Sequence, residues 1–427
     1  MADQLVLHGA ALFTGVDGEV VNDGAVWVDG STVRYAGPST DLPSSSDGAR
    51  RIDLRGRFVM PGMTESHAHL SYQNAHPQQL DRQPLPTAML DAVDNARMVL
   101  ASGFTSAISF GSAQGIDIPL REAINRGRVP GPRLAASDRD LGSTGSNADA
   151  ASPESEGRKI IADGPWAVRA GVRLLAKKGC DIVKIFLDGE AISGHAEVGV
   201  LSYTDEEVAA ACEETHARGM RIVCHSRSAA AVKQAVRYGV DIIGHANFLD
   251  DEALDMLRAN RDRIFVGPGI AWEVALLDRG HEIGLSRAAM EAKGYQREVD
   301  ATVSAVKRLR EAGVRVLVGG DYGLNITPHG TNAKDLEYFV DLFDMTPTDA
   351  LLCATRDGGD AFDPGGMVGT LEEGKLADLV VVDGDPTEDV TVLQDHSRIH
   401  AVMKDGLIYR GLSNPRPYRS TADRLAT

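Results

Sequence analysis

Two histidines one residue apart stand directly after an apolar run, in the segment FVMPGMTESHAHLSY at residues 58–72. Side chains alternate between the two faces of an extended strand, so His67 and His69 point the same way, and Glu65 points with them. Imidazole and carboxylate groups that share one space can bind a metal ion. A histidine pair alone is weak evidence, so a metal site needs further ligands elsewhere in the chain.

Further residues of ligand type stand at the ends of other predicted strands. Lys184 lies within DIVKIFL, and His225, His245 and Asp321 end three more apolar runs. Each taken singly has a simpler explanation: a hydrogen-bonded core histidine, an aspartate that caps a turn, or a lysine paired with Asp321. A lysine inside an apolar strand is costly unless it is paired or modified. The convergence of all these residues favours a metal site.

Short apolar runs alternate with amphipathic segments through the middle of the chain, which predicts repeated β-then-α units. With the run at Phe58, eight strands are predicted, and the other seven start near residues 104, 133, 181, 221, 241, 264 and 314. Eight such units predict an α/β protein with a (β/α)8 TIM barrel, whose active site lies at the carboxyl ends of its strands. An open doubly wound sheet is the alternative, but no G-x-G-x-x-G motif opens a helix after the first strand.

Both ends of the chain are predicted to be β structure. GAVWVDGSTVRYAG predicts a hairpin about Asp29–Gly30, and IHAVMKDGLIYRG predicts another about Asp405–Gly406. Each end is too short for a good core of its own. We therefore predict one small composite β-sandwich domain from residues 1–60 and 366–427, joined to a barrel of residues 61–365.

Two connections of the predicted barrel are long, at residues 138–163 and 271–298, and we expect them to hold substrate. Several histidines fall near strand ends or in these connections: His76, His195, His329 and His281. Of these, His329 is predicted as a polar contact to substrate, while the roles of the others stay open.

Composition excludes several classes of partner. The chain has 427 residues and a formal net charge of −17, which argues against nucleic acid or an anionic membrane surface. No apolar run approaches the ~18 residues of a membrane span, and the N-terminus lacks a signal-peptide pattern. The cysteines form no C-x-x-C pair. We expect a cytoplasmic homo-oligomer with a small-molecule substrate.

Over nearly its whole length the chain resembles the metal-dependent amidohydrolase superfamily. PGMTESHAHL resembles the family's first-strand motif, DIVKIF its lysine strand, GVDIIGHA its sixth-strand histidine and VGGDYG its eighth-strand aspartate. GTLEEGKLADLVVVDGDP resembles the segment with which the chain of such enzymes returns from the barrel to a β domain built from both termini. GPRLAAS, ADGPWAVRAGVR and PHGTNAKDLEYFVD are most similar to the imidazolonepropionase-like branch, which includes Xaa-Pro dipeptidases, arginine carboxypeptidases and ochratoxin-type amidases.

The resemblance implies a binuclear hydrolase that cleaves an amide C–N bond. The implied metal ligands are His67, His69 and Asp321 for one ion, His225 and His245 for the second, and Lys184, carboxylated by carbon dioxide, as a bridge. A hydroxide shared by the metals would attack the carbonyl, and Asp321 would pass its proton to the leaving nitrogen. Zinc suits this imidazole-rich set, with manganese and cobalt as alternatives.

Three positions depart from the family pattern. Glu65 stands where relatives often have Asp, Arg227 where many have Tyr, and Asn147 where a third-loop His often stands. The last two positions usually face substrate, so Arg227 and Asn147 are predicted substrate contacts. Arg227 is expected at the barrel mouth, where it would bind a carboxylate or carbonyl. The alternative for Arg227 is an ion pair with a loop carboxylate such as Asp149 or Asp188.

Several functions fit these residues. The preferred one is a binuclear hydrolase of an N-acyl amino acid, a dipeptide or a xenobiotic amide. The alternatives are a hydrolase of carbamoyl, urea-type or cyclic amide substrates, and a mononuclear deaminase-like relative, which generally lacks the lysine at position 184. A non-catalytic scaffold that has lost its metals is a further alternative, and the complete set of ligand-type residues argues against it.

Overall fold

The computed structural model describes residues 4–75, 80, 83–149, 160–191 and 196–411, and within them the chain has a mixed α/β fold. The described strands are β1 Gln4–Phe13, β2 Val20–Asp29, β3 Thr32–Pro38, β4 Arg50–Asp53, β5 Phe58–Pro61, β6 Met63–Ala68, β7 Phe104–Ser109, β8 Arg133–Ala135, β9 Leu141–Gly142, β10 Ile160–Ile161, β11 Ile182–Phe186, β12 Arg221–Ser228, β13 Ile242–Phe248, β14 Phe265–Gly267, β15 Arg315–Val316, β16 Leu379–Val382, β17 Ile399–Lys404 and β18 Leu407–Arg410. The described α-helices are α1 Leu85–Ala101, α2 Asp117–Asn125, α3 Pro165–Lys178, α4 Asp205–His216, α5 Ala229–Tyr238, α6 Asp251–Ala259, α7 Ile270–Arg279, α8 Arg287–Ala292, α9 Tyr295–Glu311, α10 Lys334–Phe343, α11 Pro347–Leu352 and α12 Gly358–Phe362. In this part of the chain, no helix has both the length and the apolar character needed to cross a lipid bilayer.

Strands from both ends of the chain share one sheet, in the order β18-β17-β16-β5-β1-β2-β3, with β4 also paired to β1. Val59 of β5 lies between Leu12 of β1 and Val381 of β16. Alternate aliphatic side chains of these strands pack together in a core of their own. Both predicted hairpins are confirmed, as β2–β3 and β17–β18. In the second hairpin, Asp405 and Gly406 have φ values of 55° and 69°, as a two-residue type I′ turn requires.

The other described strands run parallel in two sheets, β6-β7-β8 and β10-β9-β11-β12-β13-β14-β15. Two backbone hydrogen bonds join the two sheets: Ser66 N–H in β6 donates to Val318 O after β15 at 3.0 Å, and Asp181 N–H before β11 donates to Ala136 O after β8 at 2.8 Å. Because the strands are parallel, their carboxyl ends lie together on one side, where α/β folds bind ligands.

The first predicted barrel strand is divided in two at Gly62. Its first part, β5, pairs in the sheet built from both termini, and only β6 pairs with β7. A Cβ atom at position 62 would lie 2.1 Å from Thr105 Oγ1, so only glycine allows the close approach at this crossing. The prediction of one continuous strand is therefore wrong, because the apolar pattern does not record which sheet a strand joins.

The two long predicted connections contain secondary structure that the sequence did not indicate. Residues 138–163 include β9 and β10, and residues 271–298 include most of α7, all of α8 and the start of α9. The connection after the seventh strand is therefore long, as predicted, and largely helical. A helix as short as α8 makes fewer than two turns, which is too few for its periodicity to be recognised.

Candidate metal centre

The six predicted ligands lie in parallel strands or in the segments that follow them: His67 in β6 and His69 after it, Lys184 in β11, His225 in β12, His245 in β13 and Asp321 after β15. Strand register brings several of them side by side. Phe186 at the end of β11 pairs with His225, and Ser226 pairs with His245. The parallel arrangement therefore collects residues that are far apart in the sequence.

Asp321 lies among the predicted histidine ligands. Its Oδ1 atom is 3.2 Å from His69 Nε2 and 3.8 Å from His67 Nε2. His67, His245 and Asp321 each offer a ligand atom, and these atoms lie within 4.8 Å of one another. The ring centroids of His225 and His245 are 4.6 Å apart. Imidazole nitrogens and a carboxylate at such distances are a donor set that suits a transition metal.

Backbone carbonyl groups hold one ring nitrogen of several predicted ligands. The hydrogen bonds are His69 Nδ1 to Gly111 O at 2.9 Å, His225 Nε2 to Gly189 O at 3.2 Å and His245 Nδ1 to Pro268 O at 3.3 Å. A carbonyl can only accept, so the bonded nitrogen carries a proton, and in a neutral imidazole the other ring nitrogen keeps its lone pair. Metal-binding histidines are commonly oriented in this way. Residue types alone could not reveal these backbone partners.

Three of these imidazoles are held in the neutral form that binds metals. Burial lowers the pKa of His67, His225 and His245 well below the usual value, and the charge of Lys184 lowers each pKa further. The Nδ1 atom of His67 is buried, and no other described residue forms a hydrogen bond with it. Buried polar atoms normally have a partner, so this orphaned nitrogen also fits a ligand-binding site.

Lys184 is buried within the same group. The residue is 3% exposed, and its Nζ atom lies 4.7 Å from the ring centroid of Phe110 and 5.0 Å from that of Phe186. Burial by itself would raise the pKa of Asp321, but the neighbouring histidines and Lys184 hold that pKa well below its usual range. The Asp321 side chain is therefore ionised and available as a ligand or proton acceptor.

Glycines allow the strands that carry these residues to approach one another. A Cβ atom at Gly319 would lie 2.5 Å from His67 N, and one at Gly269 would lie 2.8 Å from His245 Nδ1. His245 and Asp321 themselves have positive φ values of 80° and 62°. Such conformations are uncommon outside glycine and are found where the surrounding structure enforces them, often at functional sites.

Comparison with known proteins identifies the family. The model of the amidohydrolase family matches residues 58–408. The chain belongs to this family. It is 25% identical over 435 residues to the ochratoxinase of Aspergillus niger, across 95% of this chain and 86% of that protein. It is 24% identical over 377 residues to the imidazolonepropionase of Rhizobium meliloti strain 1021, across 85% of each. The solved structure of a Xaa-Pro dipeptidase with bound methionine in the active site has a TM-score of 0.85 and 28% identity, across 96% of this chain and 100% of that chain.

Membership of the amidohydrolase family confirms the resemblance seen in the strand motifs and the prediction of an enzyme. The protein is a hydrolase that acts on carbon–nitrogen bonds, in a family whose substrates are small molecules. Amidohydrolases generally depend on metal ions, and the cluster of His67, His245 and Asp321 is a candidate site for one.

Glu65 of the amidohydrolase supports His67 through the backbone. Its Oε1 atom accepts the His67 N–H at 3.1 Å, and its Oε2 atom accepts from Asn332 Nδ2 at 2.7 Å. Burial raises the pKa of Glu65 to about 8. The pairing of β6 with β7 is irregular between Glu65 and Ala68, which disturbs the simple alternation of side chains. Asn332 is a residue of the site that the sequence did not reveal, although it lies in the quoted segment PHGTNAKDLEYFVD.

Arg227 lies inside an acidic cluster. The residue is fully buried, and its Nη1 atom is 2.6 Å from Glu273 Oε1 and 3.1 Å from Glu298 Oε1. Its Nη2 atom is 3.3 Å from Glu190 Oε1. These residues come from the ends of β11 and β12 and from α7 and α9, so the cluster connects four elements of the amidohydrolase.

Arg227 was predicted at the barrel mouth as a contact to substrate; its side chain is buried, and the contact with substrate stays a prediction. The guanidinium already binds the carboxylates of Glu190, Glu273 and Glu298, so a substrate carboxylate would have to displace one of them. An ion pair was the alternative, but its partners differ from those predicted. Asp188 instead accepts the backbone N–H of Arg227 at 2.9 Å.

His329 lies beside the first predicted ligand strand. Its Nε2 atom is 3.1 Å from His69 O, and its backbone N–H donates to Asn74 Oδ1 at 2.8 Å. Burial lowers the pKa of His329 to about 4, so the imidazole is neutral. A contact between His329 and substrate stays a prediction.

The remaining predicted positions are less closely connected to the candidate centre. Asn147 is partly exposed in the segment after β9, and its contact with substrate stays a prediction. His281 is exposed in a short 3₁₀ turn after α7. His76 and His195 lie outside the described residues.

Proposed function

We propose that this amidohydrolase cleaves an amide C–N bond with two divalent metal ions. The proposed ligands are His67, His69 and Asp321 for one ion, His225 and His245 for the other, and carboxylated Lys184 between them. The observation that carries this proposal is a group of buried imidazoles around Asp321, several held through one nitrogen by backbone carbonyls.

Carboxylation of Lys184 would resolve a conflict of charge at the site. A buried ammonium repels a cation, whereas a carbamate offers oxygen atoms that can bind two ions. Imidazole and carboxylate donors suit zinc, and manganese or cobalt would also fit them. When bound, such ions polarise a carbonyl group and lower the pKa of water.

Asp321 is the proposed proton carrier. Its carboxylate is ionised and lies 3.2 Å from His69 Nε2, at the centre of the group. We propose that it accepts a proton from the attacking water and delivers it to the leaving nitrogen. Arg227 acts at a distance from the reacting atoms, because its buried ion pairs hold the end of β12 and thereby the position of His225.

The proposed substrate is an N-acyl amino acid, a dipeptide or a xenobiotic amide. This proposal is supported by relatives named ochratoxinase and Xaa-Pro dipeptidase. A carbamoyl, urea-type or cyclic amide substrate is the second candidate, and the relative named imidazolonepropionase favours the cyclic form. A mononuclear deaminase-like mechanism would leave the buried Lys184 without a role.

We also propose that the parallel strands close into a (β/α)8 barrel over residues 61–365. The hydrogen bonds that join β6 to the segment after β15 and β11 to the segment after β8 support closure. Residues 1–60 and 366–427 would form the composite β-sandwich domain. Two observations support this domain: strands from both ends of the chain share one sheet, and that sheet has an aliphatic core of its own. Gly62 would lie at the boundary between the β-sandwich domain and the barrel.

A homo-oligomer is proposed as well. Trp166 and Leu174 both lie on α3 and are 81% and 40% exposed. Large apolar side chains on one helix surface are typical of protein interfaces. Light scattering should give a mass above that of one chain for the wild type and a lower mass for Trp166→Asp. A monomeric wild type would contradict the proposal.

Metal analysis together with activity on a substrate panel tests the proposed site. The panel contains N-acetyl amino acids, dipeptides, anilides and ureas. Lys184→Ala and His225→Ala should lose metal and turnover while remaining folded. Lys404→Ala is a matched control, because Lys404 is also 3% exposed but donates to Gly131 O on another part of the molecule. Full activity in Lys184→Ala would contradict the bridging role.

A further inference from the structure

A polar cavity of about 340 Å³ lies where the β17–β18 hairpin packs beside the end of α2 and the start of β8. The charged residues in its wall are Arg126, Arg133, Lys404 and Asp405. Arg133 is the first residue of β8, whereas His69 and Asp321 follow the strands β6 and β15. The cavity therefore lies at the amino ends of the parallel strands, on the side of the fold opposite to the candidate metal centre.

Lys404 is a buried cation in this wall. The residue is 3% exposed, and its Nζ atom donates to Gly131 O at 2.7 Å. The same atom lies 5.4 Å from the ring centroid of Tyr409. Among the described residues, none places a carboxylate at ion-pair distance from Lys404. A buried charge is costly unless it is paired and hydrogen-bonded, and an ammonium has more donor hydrogens than one carbonyl can accept.

The carboxylates nearest to Lys404 are bound by another cation. Arg133 Nε is 3.0 Å from Asp378 Oδ2, and the Arg133 guanidinium also binds Asp405. Burial, together with the charge of Arg133, lowers the pKa of Lys404 to about 8, although Asp405 and Asp378 oppose this shift. The charged ammonium form therefore still predominates at pH 7.

Arg126 adds positive charge at the rim of the cavity. Its side chain is 62% exposed, and its Nη2 atom is 3.4 Å from Glu122 Oε2. The carbonyl groups at the end of α2 contribute negative partial charge. Asp405 contributes a full negative charge, but that charge is bound to Arg133. The three cationic side chains of the wall outweigh these contributions, so the cavity is positive in a chain whose net charge is −17.

We propose that this cavity binds a phosphate group, free or as part of a small phosphate ester, between Lys404 and Arg126. The phosphate oxygens would accept the ammonium hydrogens that Gly131 does not bind, and charge-assisted hydrogen bonds of this kind are among the stronger ones. The site is separate from the proposed amide hydrolysis and does not depend on it. A bound phosphate group would connect the β17–β18 hairpin to α2 and thereby stabilise the folded protein.

Calorimetric titration of the full chain with inorganic phosphate, at constant ionic strength, tests this site. Lys404→Met should weaken binding about tenfold or more, because it removes a charge-assisted hydrogen bond from a buried donor. Arg126→Gln should weaken binding about threefold, since its charge lies at the exposed rim. Arg97→Gln is the matched control, because it removes an exposed arginine of α1 that pairs with Asp94, and it should bind phosphate as the wild type does.

Titration with glycerol phosphate distinguishes the two sources of the phosphate group. Affinity equal to that of inorganic phosphate supports a site for the free ion, and tighter binding supports a site that also holds the organic part of an ester. In both cases Lys404→Met should cause the same loss of affinity as it does for inorganic phosphate.

Lys184→Ala separates this cavity from the candidate metal centre, where phosphate could also bind. That variant should lose any phosphate bound by metal ions and keep the phosphate of the cavity. Phosphate should raise the Tm of the wild type and of Lys184→Ala but not that of Lys404→Met. Without phosphate, Lys404→Met should be at least as stable as the wild type, because an apolar side chain replaces an unpaired buried charge. Absence of phosphate binding by the wild type, full binding by Lys404→Met, or complete loss of binding in Lys184→Ala would overturn the proposal.

Discussion

Replacing Arg227 with methionine should strongly destabilise the protein. The change keeps much of the side-chain volume but removes the cation that lies 2.6 Å from Glu273 and 3.1 Å from Glu298. Both glutamates are buried, at 0% and 2% exposure. Removing one partner of a buried ion pair costs about 3–5 kcal/mol, because the other charge stays buried and unpaired. This is a large part of the roughly 5–15 kcal/mol that stabilises a native protein.

The destabilisation should depend on pH. Burial raises the pKa of Glu273, and it raises the pKa of Glu298 to about 7, while the charge of Arg227 pulls both values down. Without Arg227 both pKa values should rise further. A carboxyl whose pKa is raised by folding binds more protons in the folded state, so stability falls as pH increases from the unfolded value of 4.5 through the folded value. The loss in Arg227→Met should therefore be larger at about pH 8 than at about pH 5.5.

Denaturant unfolding followed by circular dichroism at both pH values measures this effect. Arg287→Met is the matched control, since it removes an arginine whose ion pairs are exposed, and its free energy of unfolding should stay close to that of the wild type. The triple variant Arg227→Met, Glu273→Gln, Glu298→Gln should recover part of the loss, because it also removes the unpaired charges. A loss below about 1 kcal/mol at pH 8, or equal losses at both pH values, would refute this account of the cluster.

Three further predictions concern the metal centre and the domains. Metal-free protein should regain more activity with bicarbonate than in buffer purged of carbon dioxide, because a carbamate on Lys184 needs carbon dioxide; equal recovery would count against carboxylation. Gly319→Ala should lower stability by about 1–3 kcal/mol and reduce metal content, because its Cβ would lie 2.5 Å from His67 N, whereas Gly267→Ala, with open space around its Cβ, should resemble the wild type in both measurements. If Gly319→Ala behaves as Gly267→Ala does, the close approach is not needed. Removal of residues 366–427 should cause aggregation in a sedimentation assay, because β5 loses its partner β16, and a soluble, active fragment 61–365 would contradict the domain division.

The sequence by itself determined which residues could be grouped into one site. His67, Lys184, His225, His245 and Asp321 each stand in or after a short apolar run, and the runs alternate with helical segments. Parallel strands connected by helices bring their carboxyl ends together, so a local pattern was enough to place distant residues on one side of the fold. The turn at Asp405–Gly406 was equally predictable, because its residue types suit the positive φ values that a two-residue hairpin needs.

Tertiary structure alone decided the partners of these residues. Glu190 and Glu273 lie 37 and 46 positions from Arg227, and nothing in their local sequence indicates that they bind its guanidinium. The backbone carbonyls of Gly111, Gly189 and Pro268 are equally invisible, because every residue has such an acceptor. Which residues become ion-pair or hydrogen-bond partners depends on how helices and strand ends pack in space. The hydrophobic periodicity of one segment indicates only which of its own side chains are buried. The sequence could therefore predict that an arginine follows His225, but only packing determined that its charge is already neutralised.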